Sequence, residues 1–227
     1  MQDPLFESVV VCARKLTLAY QRLNQSKLST PIALNPDPAK GWYSGPARPN
    51  GCINAAEQFL KKKIEVFSFP PLGLSNPIAA HVQIYGDRAE IFISSAQNYC
   101  WRRLLVAKEL AHLLICEPGN QTPINPAAVT SLLSDLINNV GAGANPILQV
   151  EVYAYYAAIE ILLPMEHAIE AAQKFSAGQS LLDLAKEYRI PRQAMEFRLT
   201  EPSAMGLYEE LYASQRFKNL PYNPING

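Results

Sequence analysis

The sequence has few of the residues that would assign it to a class at once. Its 227 residues include only four cysteines and three histidines, and twenty basic side chains balance twenty acidic ones. A formal net charge of zero provides no overall field to attract nucleic acid or an anionic membrane. Because Cys12, Cys52, Cys100 and Cys116 form no CxxC pair and no dense framework, we expect free thiols in a reducing cytoplasm.

Uncharged apolar runs long enough to span a membrane are also missing. No uncharged stretch approaches the roughly 18 apolar residues that a transmembrane helix needs. The N-terminal run MQDPLFESVVVCARK lacks the charge order and the length of a secretory signal. We therefore expect a cytoplasmic protein with no membrane partner. Since 48% of its residues are hydrophobic, the chain can bury the core of one ordinary globular domain.

Proline and glycine mark off the N-terminal region, residues 1–52. Apolar residues spaced among charged ones predict a first helix over residues 4–24. Residues 25–51 are rich in proline and glycine, which disfavours regular structure. Trp42 and Tyr43, in the middle of this loop, are expected to anchor it on the body of the protein, with a binding surface as the alternative.

The remaining periodic segments predict an α+β fold that is mainly helical, with a small three-stranded sheet. Runs rich in β-branched and aromatic residues predict strands at 64–69, 80–85 and 89–94, the last two joined by a tight hairpin at Gly86 and Asp87. Predicted helices lie at 54–63, 101–116, 127–139, 147–163, 181–187 and 192–199.

Three polar residues interrupt the apolar part of one of these helices, which lies in the stretch YCWRRLLVAKELAHLLICE at 99–117. At about 100° per residue, Lys108, Glu109 and His112 share roughly one quadrant of its surface. Burying such groups without partners costs on the order of several kcal/mol each. We therefore expect a polar partner from another element. Glu151, in the second apolar helix, is a carboxylate that would face a cation.

The two apolar helices resemble those of the ImmA/IrrE family of zincin-like metallopeptidases. The segment RRLLVAKELAHLLI (102–115) is similar to the family's HExxH helix, and VEVYAYYAAIEILLP (150–164) to its downstream alanine-rich helix. SLLDLAKEYRIPRQAMEFRL (180–199) is similar to its helix-turn-helix segment. The resemblance implies a zincin-like core over 53–175 and a helix-turn-helix-like segment with a tail over 176–227. It also implies a protein partner of the repressor type, in a phage, mobile-element or stress-response setting.

The chain departs from that family at the expected metal ligands. An active zincin needs two imidazoles at i and i+4, a glutamate beside the first, and a third ligand. Lys108 stands at the first imidazole position, and an ammonium has no lone pair for Zn²⁺. Counting back from Pro164 places Tyr153 at the third position, about 200° around the helix from Glu151. We therefore favour a degenerate site without a cofactor, in which Lys108 replaces the first ligand and pairs with Glu109 or Glu151.

An active zinc metallopeptidase is the alternative hypothesis. It would hold Zn²⁺ on His112 and Glu151, would take a further ligand from Cys116, a loop or the substrate, and would use Glu109 as general base. The two other histidines, His81 and His167, are expected to be surface or loop residues unconnected with the site.

A DNA-binding regulator is the weaker alternative, suggested by residues 178–200. Arg192, Gln193 and Arg198 lie on the second helix of this segment, where they are candidates to contact phosphate or base edges. Glu196, Glu201 and the absence of net positive charge oppose this role. We therefore favour a packing subdomain over a DNA contact.

Overall fold

The computed structural model describes residues 10–18, 51–70, 79–115, 146–201 and 213. These residues form the mixed α+β fold predicted from the sequence, mostly helical with one small sheet. The elements in chain order are α1 (described over 10–18), α2 (Gly51–Leu60), β1 (Lys63–Phe69), β2 (Ala80–Ile84), β3 (Arg88–Ser94), α3 (Tyr99–Ile115), α4 (Pro146–Leu162), α5 (Met165–Ser176), α6 (Leu181–Tyr188) and α7 (Arg192–Thr200). The loop at 25–50, the helix predicted at 127–139, Cys116 and the tail from residue 202 lie outside the described residues, apart from residue 213.

The sheet has the strand order β1-β3-β2. Strand β1 runs parallel to β3, whereas β2 runs antiparallel to it, so the predicted strands and the predicted hairpin are confirmed. Tyr85 N donates to Arg88 O at 2.8 Å and closes the turn at Gly86 and Asp87. Alternate residues of the strands, such as Ile64 and Ile91, are buried on the side that packs against α2 and α3.

Helix α2 begins and ends three residues earlier than predicted. Lys61 ends it with a positive φ of 53°, and Lys63 is already the first residue of β1. The three lysines therefore form a helix-to-strand junction rather than a charged helix terminus. Lys62 Nζ donates to the carbonyl oxygens of Tyr85 and Gly86, which ties this junction to the hairpin turn. The boundary predicted after residue 52 falls inside α2.

Helices α3 and α4, the two apolar helices of the sequence analysis, pack against each other and form the centre of the described core. Each is 17 residues long, and α4 ends at Leu162, two residues before Pro164, where a helix is expected to stop. Small residues such as Ala107 on α3 and Ala158 on α4 are completely buried. Helix α3 also packs against β2 and β3, so it lies between the sheet and α4.

Helix α5 is not among the predicted helices, although its boundaries carry ordinary signals. Pro164 precedes its first residue, and Gly178, with a φ of 98°, follows its last turn. Arg14 of α1 donates to the Glu166 carboxylate in the first turn of α5 at 2.9 Å. This pair connects the N-terminal helix to the C-terminal half of the described fold.

The short helices α6 and α7 match the prediction for residues 181–199. Ser180 caps α6 by accepting a hydrogen bond from Asp183 N at 3.1 Å, and Arg189 ends it in the left-handed conformation. Buried Arg103 of α3 donates to the carbonyl oxygen of Tyr188 at 3.1 Å and to that of Arg189. A cation at these carbonyls offsets the negative end of the α6 dipole. None of the described helices is long and apolar enough to cross a membrane.

Candidate functional site

The polar face of α3 is buried. Lys108 and Glu109 are each 1% exposed and His112 is 5% exposed, in a helix whose neighbouring residues are nearly all apolar. Their spacing along the helix places all three on one side, as predicted from the sequence. Glu151 of α4, which is 6% exposed, is the partner that meets this face.

The four side chains form one connected cluster. Lys108 Nζ donates to Glu151 Oε2 at 2.9 Å and lies 3.4 Å from Glu109 Oε1. His112 Nε2 lies 3.2 Å from Oε1 of the same Glu151 carboxylate. The ammonium and the imidazole come from consecutive turns of α3, so they hold the Glu151 carboxylate between them. This contact fixes the rotation of α4 relative to α3.

The position of Glu151 decides between the two candidate residues on α4. Counting back from Pro164 placed Tyr153 at the position that faces the motif helix, but Glu151 is the residue whose carboxylate contacts Lys108 and His112. A residue two positions further along a helix points about 200° away. Tyr153 is therefore directed to another side of α4, where it is also buried.

Opposing effects set the ionisation of Glu151. Burial alone would raise the pKa of this carboxyl, but the His112 imidazole and the Lys108 ammonium outweigh burial and hold its pKa below the usual 4.5. Glu151 is therefore ionised at neutral pH.

Two acceptor atoms in the cluster make no aligned hydrogen bond within the described residues, namely Oε1 of Glu109 and Oε1 of Glu151. Both nevertheless lie within 3.4 Å of a group that is or can become cationic. Tyr155, one turn after Glu151, has a buried hydroxyl that is also without a hydrogen-bond partner among the described residues. Burial raises the pKa of Tyr155, so its hydroxyl stays neutral.

His81 lies near this cluster, which the sequence analysis did not predict. It is a half-buried residue of β2 and stacks on Phe92 with ring centroids 4.7 Å apart. Burial lowers the pKa of His81, and the charge of Glu109 opposes that shift. The expectation of an unconnected surface or loop residue is therefore wrong for His81. The alternation in β2 predicts a strand residue, but only the packing of β2 against α3 brings it near Glu109.

His167 is also misassigned by the sequence analysis. It is buried in α5, with Nδ1 3.7 Å from Glu170 Oε2 and its ring against the edge of the Tyr188 ring at 5.6 Å. The contact with Glu170 lies within α5, and the ring contact with Tyr188 joins α5 to α6. His167 is therefore a residue of the helical core rather than of the surface.

The residues that stand in the cluster do not fit a Zn²⁺ ion. Lys108 Nζ lies between the carboxylates of Glu109 and Glu151, and an ammonium cannot coordinate a metal. Across residues 10–18, 51–70, 79–115 and 146–201, no three His, Cys, Asp or Glu side chains converge in a geometry that could hold a metal ion. Cys116, the further ligand considered in the sequence analysis, is outside the described residues.

The three candidates for nucleic-acid contact separate into two environments. Arg192 and Gln193 are exposed at the start of α7. Arg198 is 1% exposed, and its Nη2 lies 3.3 Å from Oε2 of fully buried Glu160 on α4. Its guanidinium therefore lies inside the fold, so Arg198 is wrong as a candidate of the weaker DNA-binding alternative.

An apolar groove lies beside this buried pair, between α5 and α7. Its volume is about 430 Å³, and Ile169 on its rim is half exposed. The groove is lined by Met165, Ala168, Ile169, Ala172, Leu199 and the stem of Arg198, with Gln173 and Ser176 at its polar end. It contains none of the four cluster residues. The chain matches no protein-family model, no curated protein sequence and no solved structure, so the cluster geometry is the basis on which a function can be proposed.

Proposed function

We propose that this chain is an ImmA/IrrE-like protein with a degenerate metallopeptidase site, which acts as a regulatory or protein-binding module rather than as a peptidase. One observation carries the proposal. Lys108 Nζ lies 2.9 Å from Glu151 Oε2, at the helical position from which an active zincin would direct its first imidazole to the metal. A cationic side chain there neutralises the carboxylate without leaving a position open for a metal.

The arrangement of the elements supports a zincin-like scaffold. Helix α3, which carries the KExxH segment, lies between the three-stranded sheet and α4, which carries the acidic residue. The antiparallel edge strand β2 packs against α3. The α6–α7 pair, with a tight turn at Arg189, supports the helix-turn-helix-like part of the proposal.

The cluster is suited to holding helices together rather than to cleaving a peptide bond. Glu109, the general base of the active alternative, has no aligned hydrogen bond to its Oε1 within the described residues and is 1% exposed. A general base must come within hydrogen-bonding distance of the proton it removes, and a buried carboxylate facing an ammonium lacks that access. We therefore propose that Glu109 does not act as a general base. Because the Lys108 ammonium also stands at the first ligand position, we propose that the protein uses no metal cofactor.

A protein partner follows from the same proposal. In the family that the chain resembles, repressor-type proteins are the partners, so we propose a cytoplasmic partner of that kind and no membrane partner. DNA contact through α7 is a weaker proposal. It is favoured only by the exposure of Arg192 and Gln193 at the start of the helix.

The experiment that tests the proposal is elemental analysis of the purified, untagged protein. We expect no stoichiometric zinc in the wild type, even after zinc is added and excess metal is removed. His112→Ala, which deletes a group 3.2 Å from Glu151, should then lower stability without changing metal content.

Proteolysis provides the matched control. Glu109→Gln keeps the shape of the side chain and removes its basicity, so it would abolish cleavage only in an active enzyme. We expect wild type and Glu109→Gln to behave alike towards denatured casein and repressor-type proteins. Stoichiometric zinc that is lost in His112→Ala, together with cleavage that is lost in Glu109→Gln, would establish the active metallopeptidase instead.

A further inference from the structure

We propose that the apolar groove between α5 and α7 is the docking site for the segment of this same chain that follows α7, residues 203–215. That segment lies outside the described residues, apart from residue 213. The groove contains none of the four cluster residues, so the inference is independent of the metal-free proposal. It rests on the shape of the groove, on the place where α7 ends and on the pattern of the sequence that follows.

The groove runs along one side of α5. Its lining residues on this helix recur at intervals of three or four, from Met165 to Ser176, so the groove extends for about 16 Å. Its volume is about 430 Å³ and most of its lining is aliphatic. Ile169, near the middle of this side, is 52% exposed. An apolar groove of this length fits one side of a helix of about three turns.

Helix α7 ends at one end of this groove. Arg198 and Leu199, in its last turn, line the groove, and Arg198 Nη2 lies 3.7 Å from Sδ of Met165, the first residue of α5. Glu201 already has an extended backbone, with φ −84° and ψ 106°, and Pro202 follows it as a stop signal for a helix. The chain therefore leaves α7 at the Met165 end of the groove.

The sequence after Pro202 has the pattern of an amphipathic helix. At about 100° per residue, four bulky apolar side chains fall within about 140° of arc, namely Leu207, Tyr208, Leu211 and Tyr212. Glu209 and Glu210 fall on the opposite side, with Ala213 between them. Residue 213 is described, and it is both helical and exposed. Its exposure agrees with a helix that turns its glutamate side to solvent and its apolar side to the protein.

Tethering favours this segment over a separate occupant. A segment attached through a short link has an effective concentration on the order of millimolar at a neighbouring site. A second copy of the chain, or another protein, must reach the groove from solution at its own concentration. Because the groove and the apolar side of the segment both leave water when they meet, the hydrophobic effect favours their contact.

Photo-crosslinking in the full chain tests the proposal. Benzoylphenylalanine, which reacts with nearby C–H bonds on irradiation, is introduced as Tyr208→benzoylphenylalanine and, in the control, as Ala213→benzoylphenylalanine. We expect the Tyr208 variant to give a monomer-sized product in which mass spectrometry of the digest links position 208 to the groove residues of α5. The Ala213 variant should lack this link, because residue 213 is exposed.

Hydrogen exchange of the full chain provides a second measurement. Ile169→Asp places a carboxylate in the groove, whereas Leu182→Asp places one on α6, outside the groove, at an apolar residue that is 50% exposed. We expect the amides of residues 207–213 to exchange at least about tenfold faster in Ile169→Asp than in the wild type. Their exchange should be unchanged in the matched control Leu182→Asp.

Each other outcome overturns the inference. A dimer-sized crosslinked product would assign the groove to a second copy of the chain. Equal linkage from positions 208 and 213, links outside the groove, the absence of any link, or unprotected 207–213 amides in the wild type would each remove the segment from the groove. If Ile169→Asp does not fold, the Tyr208 crosslink decides the question, because it leaves the groove residues unchanged. None of these results depends on metal content, so failure of this inference is distinguishable from failure of the proposed function.

Discussion

Helix α4 carries two buried carboxylates, and they lie in different environments. Glu160 meets the guanidinium of Arg198 on α7 at 3.3 Å. Glu151 meets both an ammonium and an imidazole on α3, and Glu109 adds a second carboxylate to the same cluster. Glu160 is thus paired with a guanidinium, whereas around Glu151 two carboxylates lie close to one ammonium.

The difference separates a structural ion pair from a candidate site. A buried pair with matched charges holds two helices together and requires nothing further. A cluster of four ionisable side chains, beside a second histidine in β2, is instead a candidate functional site. The variants described below test whether the two carboxylates behave as differently as their surroundings suggest.

The largest effect is expected from Lys108→Met, which removes the ammonium but keeps an unbranched side chain. The Glu151 and Glu109 carboxylates would then be buried without it, which costs about 3–5 kcal/mol of the free energy of unfolding. Chemical denaturation measures this loss. Adding Glu151→Gln to Lys108→Met should recover part of it, because one of the uncompensated charges is gone. A loss below about 1 kcal/mol would contradict the role given to Lys108.

A smaller effect is expected from Glu160→Gln. The amide still offers an oxygen to Arg198. We therefore expect the free energy of unfolding to fall only by the value typical of a hydrogen bond to a charged group, about 1.5–3 kcal/mol. Arg198→Met in the same background measures how much of the effect depends on the guanidinium. If Glu160→Gln is as damaging as Lys108→Met, the proposed contrast between pair and cluster does not hold.

We expect the Glu151 carboxylate to contribute to the pH dependence of the free energy of unfolding. Burial opposes its ionisation, but His112 and Lys108 hold its pKa in the folded protein below the unfolded value of 4.5. A depressed carboxyl pKa stabilises the fold above about pH 4.5, and this contribution is lost as pH falls through the folded-state pKa. The free energy of unfolding of wild type and Glu151→Gln should therefore converge as pH is lowered from 7 to 3. If the difference in free energy of unfolding between wild type and Glu151→Gln stays constant with pH, the charge of Glu151 does not contribute to stability.

The smallest effect is expected from Arg192→Ala. Arg192 is exposed, unlike Arg198 two turns later on the same helix, so its removal should change stability by less than about 0.5 kcal/mol. Fluorescence anisotropy with duplex DNA at low and raised salt tests the remaining candidate role. Under the proposed function, no salt-sensitive binding that depends on Arg192 is expected. Binding that weakens with salt and with Arg192→Ala, but not with Thr200→Ala, would favour the DNA alternative.

Short-range patterns predict much of this fold. Alternation of β-branched and aromatic residues predicts all three strands, and long apolar runs predict α3 and α4 to within two residues of the described bounds. Helix α5 is missed although it is amphipathic and Pro164 and Gly178 mark its ends. The early start of α2 is a boundary effect, since Gly51 is a poor helix former.

The candidate site is only half predictable from sequence. Helical spacing places Lys108, Glu109 and His112 on one face without any knowledge of the fold. It cannot decide between Glu151 and Tyr153, because that choice depends on the rotation of α4 against α3. The same limit explains Arg198, which is polar in sequence but turns towards Glu160 in the fold.

The sequence by itself therefore determines which side chains share a face, because helical and strand periods are properties of the local backbone. The tertiary structure alone decides which faces meet. It brings Glu151 to Lys108, Arg198 to Glu160 and β2, with His81, to the side of Glu109. The physical reason is that a buried charge is stable only beside its complement, and that complement lies 38 or 43 residues away in the two α4 pairs.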